Sequence, residues 1–91
     1  MKRFTKIFRA NIFEEAVVFL AGIDELENGN ELVVKTGKGR NYIKSIGHNH
    51  IVINDDDGDE IYDLGKMQSS EELIDALTDI YGNKVKNITV I

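Results

Sequence analysis

The stretch ELVVKTGKGRNYIKSIGHNHIVINDDDGDEIYDL, Glu31 to Leu64, decides the fold. Short runs rich in β-branched residues are broken three times by glycine, asparagine or aspartate. Such punctuation predicts strands joined by tight turns, an antiparallel meander. The strands are expected at 31–36, 41–46, 50–54 and 59–64. Gly37-Lys38-Gly39-Arg40 and Gly47-His48-Asn49 supply the first two turns, where glycine admits positive φ. Asp55-Asp56-Asp57-Gly58 supplies the third through its Asp-Gly pair.

Helices flank this block. Upstream, Ile12, Phe13, Ala16, Val17, Phe19, Leu20, Ile23 and Leu26 recur at helical spacing. Asn11 can cap that helix, with Glu14 three residues on, and Asn28-Gly29-Asn30 ends it. Gly22 and the Val17-Val18 pair weaken it. Downstream, Ser69 and Glu72 form a capping box ahead of the stripe Leu73, Ile74, Leu77, Ile80 and Tyr81. Gly82 stops that helix, and Val85, Ile88 and Val90 suit a last strand within 84–91. The expected class is α+β: N-terminal helix, four-strand meander, second helix and C-terminal strand. A small SH3-like barrel over 31–64 is the alternative. At the start of the chain, Phe4, Ile7 and Phe8 sit at i, i+3, i+4 among Lys2, Lys6 and Arg9. They are read as aromatics docking on the core rather than as a membrane-surface helix.

With 91 residues the chain is one domain, 1–91. Apolar residues make up 42% of it, enough for one core. Without cysteine there are no disulfides and no thiolate chemistry. The run Ala16 to Ile23 is too short for a membrane span, which needs about twenty residues. Glu14 and Glu15 separate it from the basic start, against a signal peptide. A cytoplasmic protein with no membrane partner is expected.

Catalytic and metal motifs fail in turn. Gly37-Lys38-Gly39 lacks the glycine and hydroxyl residue of a phosphate loop. Anchored on Gly58, a calcium loop would begin at Ile53 and end at Leu64, neither a chelator. His48 and His50 could share a strand face but lack a third ligand, and read as turn histidines. No serine sits in a nucleophile elbow. The chain is read as no enzyme, with no cofactor and no metal.

Charge is the most informative feature. There are 16 acids against 11 bases, for a net charge of −5, which argues against direct nucleic-acid binding. Residues 55–79 hold ten acids, Asp55, Asp56, Asp57, Asp59, Glu60, Asp63, Glu71, Glu72, Asp75 and Asp79, against one base, Lys66. Glu71–Asp75 and Asp75–Asp79 repel at i, i+4, and Asp79 stands where a helix end favours a cation. These ten are the candidate partner-binding residues, suited to steering a basic protein.

In size, charge and this acidic segment the chain resembles small phage-encoded inhibitors, including anti-CRISPR proteins and DNA mimics. The resemblance implies a non-catalytic inhibitor that occludes a basic, nucleic-acid-binding surface of a nuclease or effector. A second expectation is a homo-oligomeric structural or assembly module. Its motive is the broad apolar surface of the first helix, with Phe13, Val17, Val18, Phe19, Leu20 and Ile23, and its acidic face would only be solvated. A third is a metal or catalytic site at His48 and His50.

Overall fold

The computed structural model describes residues 12–91. The elements run α1 (Ile12–Phe19), α2 (Ile23–Glu27), β1 (Leu32–Thr36), β2 (Gly39–Ser45), β3 (His50–Asn54), β4 (Glu60–Lys66), α3 (Ser70–Tyr81) and β5 (Val85–Val90). The five strands form one open antiparallel sheet in the order β4-β3-β2-β1-β5. The class is α+β, as the order of elements predicts. A barrel would pair its outermost strands, whereas β4 and β5 stand at opposite edges.

Alternation in the strands sets the two faces. Ile43 lies opposite Leu32 on one side and Ile53 on the other, so these three share a face. Val34, Ile51 and the partly buried Ile88 and Val90 join them. The helices cover this face with Phe13, Ala16, Val17, Ala21, Ile23, Leu26, Leu73, Leu77 and Tyr81. α1 packs on α3, with the Phe13 and Tyr81 rings 5.5 Å apart at 31°. The other face carries Val33, Lys35, Arg40, Tyr42, Lys44, His50, Val52 and Asp63, with Val33 and Val52 buried there apart from the helix-covered core.

α3 follows its sequence signals. Ser69 caps it, its hydroxyl accepting the Glu72 amide at 3.3 Å, and Gly82 ends it at φ 56°. The first helix departs from expectation, because the chain breaks at 20–22 into α1 and α2. The Leu20 and Ala21 amides both donate to the Ala16 carbonyl, which terminates α1. Gly22 is extended, and its amide donates to Glu25 Oε1 at 2.8 Å, starting α2. A Cβ on Gly22 would lie 3.2 Å from both the Val17 carbonyl and Ser70 Oγ, so the missing side chain lets α3 approach. The break turns Ala21, Ile23 and Leu26 inward together and leaves Val18 62% and Leu20 50% exposed. The docking of Phe4, Ile7 and Phe8 and the Asn11 cap lie outside the described residues, as does the side chain of Phe19. No described helix is long and apolar enough to cross a membrane.

Candidate protein-binding surface

The ten acidic residues separate by role. In the β3–β4 turn, Asp55 Oδ1 accepts the amides of Asp57 and Asp59, both at 2.9 Å. This is the turn-forming use of aspartate. Asp56 ties that turn to the neighbouring hairpin. Its carboxylate accepts the Arg40 amide at 3.0 Å and the Tyr42 hydroxyl at 3.4 Å. Asp63 lies opposite Val52, on the face of the sheet away from the helices. It pairs with His50 Nε2 at 2.6 Å and accepts the Gly65 amide at 2.9 Å. The His50 bond, then the Gly65 amide, holds the Asp63 carboxyl below its ordinary range. Glu72 reaches back to the Gln68 amide at the start of α3.

The remaining six carboxylates, Asp57, Asp59, Glu60, Glu71, Asp75 and Asp79, make no side-chain hydrogen bond or ion pair among the described residues. They do not form one surface. Glu60 lies opposite Asn54, in the row of Tyr42 on the face away from the helices. Glu71, Asp75 and Asp79 project from α3, whose buried residues Leu73, Leu77 and Tyr81 face the sheet from the other side.

The helices hold carboxylates that a reading by contiguous segment passes over. Glu14 and Glu15 on α1, and Asp24, Glu25 and Glu27 on α2, join Glu71, Glu72, Asp75 and Asp79 on α3. All nine are exposed, and the three helices carry no lysine, arginine or histidine. Every described lysine and arginine lies on a strand or in a segment linking to one: Lys35, Lys38, Arg40, Lys44, Lys66, Lys84 and Lys86. Charge is thus sorted by layer, acidic on the helices and mixed on the strands. Counting charge per predicted element, rather than along the chain, would have found this.

The histidines part company. His50 takes its place on β3 beside Asp63, while exposed His48 sits in the β2–β3 turn at φ 54°. No group of three or more His, Asp or Glu side chains is arranged to hold a metal ion among the described residues. No family model matches the chain, and no curated protein or solved structure is significantly similar to it.

Proposed function

We propose that this is a non-catalytic, cytoplasmic protein that binds a basic partner and occludes that partner's nucleic-acid-binding surface. The observation that carries this reading is the layer of the three described helices, with nine exposed carboxylates and no cation among the described residues. Such a layer has a local electrostatic cost, since Glu71, Asp75 and Asp79 repel one another along α3. It also focuses a negative field that accelerates encounter with a basic surface and discriminates against acidic ones. The carboxylates would stand where the phosphates of the partner's own ligand stand, which is the manner of phage-encoded inhibitors of the anti-CRISPR type. Occlusion needs no turnover.

The test is affinity capture from a nuclease-treated bacterial lysate at low and high salt. The expected result is a basic, nucleic-acid-binding protein, released by salt and lost with the Glu71→Lys/Asp75→Lys/Asp79→Lys variant. Retention of the same partner by that variant overturns the reading. Asp55 and Asp56 are poor choices for the test, because they build the turn.

A second reading, self-association, has its own observation. Ile12 and Ala16 of α1, Leu20 just after it and Ile88 of β5 line a groove of about 390 Å³ beside β5, an edge strand among the described residues. A second copy could add β5 to β5 and cover both grooves about one two-fold axis. Light scattering at high concentration decides it. A dimer that dissociates in Leu20→Glu supports this reading, and a strict monomer removes it.

A further inference from the structure

A second cleft opens at the C-terminal end of α3. It is lined by Thr36, Gly37 and Lys38 of the β1–β2 turn, by Tyr62 of β4, by Ile80 and Tyr81 of α3, and by Lys84. Its volume is about 450 Å³. Small-molecule sites fall in the range of roughly 300–1,000 Å³. Among the described residues no carboxylate lines it, although the chain as a whole is acidic.

Tyr81 gives the cleft its chemistry. The residue is only 6% exposed, and its hydroxyl accepts from Asn41 Nδ2 at 2.7 Å. That bond uses the oxygen and leaves the O–H proton without an acceptor among the described residues. Tyr81 lines the cleft, so this donor is available to an acceptor bound there. Burial raises the Tyr81 hydroxyl above its ordinary value of 10.0 against the opposing bond from Asn41, so it stays a donor at neutral pH. A bound acceptor would complete its hydrogen bonding.

Lys38 and Lys84 line the same cleft, and neither is in an ion pair with a described carboxylate. Two lysines and one phenolic donor thus border the same space, a set suited to an anion. Thr36, Gly37, Tyr62 and Ile80 complete the lining. The ring of Tyr62 is 44% exposed, and Ile80 lies along the same wall. An exposed aromatic beside paired cations suits a flat ring bearing an anionic group.

We propose that the cleft between the β1–β2 turn and the C-terminal end of α3 binds a small anion with a flat aromatic body. Lys38, Lys84 and the Tyr81 hydroxyl hold the anionic group, and Tyr62 stacks on the ring. A phosphate ester and an aromatic carboxylate share this chemistry. The site is separate from the acidic helical layer and stands whether or not that layer binds a partner.

The test is amide NMR of the ¹⁵N-labelled full chain titrated with adenosine 5′-monophosphate, benzoate, adenosine and inorganic phosphate. Saturable shifts confined to residues 36–38, 62 and 80–84 are expected with the monophosphate or benzoate, and the tighter of the two identifies the anionic group. Lys38→Ala/Lys84→Ala, both at exposed positions, should weaken that probe about tenfold, and Tyr81→Phe severalfold. Adenosine should bind at least about tenfold more weakly than its monophosphate. Absence of saturable shifts with every probe, or unchanged affinity in the double lysine variant, overturns the proposal. Inorganic phosphate binding as tightly as the aromatic probes overturns the role of Tyr62.

Discussion

The carboxylate of Glu27 accepts the Ser45 hydroxyl at 2.7 Å and the amides of His48 and Asn49 at 2.9 and 2.8 Å. Those two residues stand consecutively in the left-handed region, at φ 54° and 58°. Side chains other than glycine adopt that region reluctantly. One exposed acid thus anchors a turn whose backbone would otherwise open. The Ser45 hydroxyl first, then the Asn49 and His48 amides, holds its carboxyl below the ordinary 4.5. Asp63 is likewise held below 3.8. Both folded values are depressed, so the linked stability is present above the ordinary values and is lost as pH falls through the depressed ones. Urea unfolding between about pH 6 and 2 should therefore show weakening that begins near pH 4.5 and steepens below 3.8. Glu27→Gln should lower stability at neutral pH, flatten the first part of that loss, and speed amide exchange at residues 48 and 49. An unaltered acid profile in Glu27→Gln would remove this role.

Among the elements, α3 was the most legible in the sequence, because three signals agree. Ser69 caps it, Leu73, Leu77 and Tyr81 form its buried stripe, and Gly82 stops it. Ser69→Ala should cost about 1 kcal/mol. Leu77→Ala, at a fully buried position, should cost about 2–5 kcal/mol. Chemical denaturation measures both, and a Leu77→Ala loss no larger than that of Ser69→Ala would contradict the packing described. The meander was legible for the same reason, since glycine and aspartate marked each turn. The α1–α2 break was not. Ala16, Ile23 and Leu26 keep helical spacing across it, so periodicity reads straight through. The decision rests on how closely Gly22 approaches Val17 and Ser70, a tertiary contact that spacing does not encode. The unmatched Tyr81 hydroxyl was hidden in the same way. Tyr81 reads as one more apolar position, and its polar end matters only once Asn41 of β2 lies beneath it.

For the whole molecule, the sequence showed an acidic chain with one acidic segment, and the fold redistributes that charge. Half of the segment builds a hairpin or ends up on the face away from the helices, while α1 and α2 bring five other carboxylates to the helical layer. Strand pairing decides which charges become neighbours, and that pairing is nonlocal. Self-repulsion across the layer should be relieved by screening. The thermal midpoint should rise between low salt and about 0.5 M sodium chloride, where the Debye length falls to a few ångströms. The rise should shrink in Asp75→Lys/Asp79→Lys, itself more stable at low salt by a few tenths of a kcal/mol. An equal rise in both proteins would mean that the layer is not the source. The pairing of β1 with β5 has a consequence of another kind. Successive hairpins join β1 to β4 through neighbours in the chain, but Leu32 meets Val90 only after nearly the whole domain has been made. Such a contact closes a long loop, a step that is slow to form. On a ribosome, the inner face of β1 would wait with one flank open until the final strand emerges. The order of synthesis and the order of the sheet are at odds there. The interval between them is when this small protein is most open to a chaperone, a protease or another unfinished copy of itself.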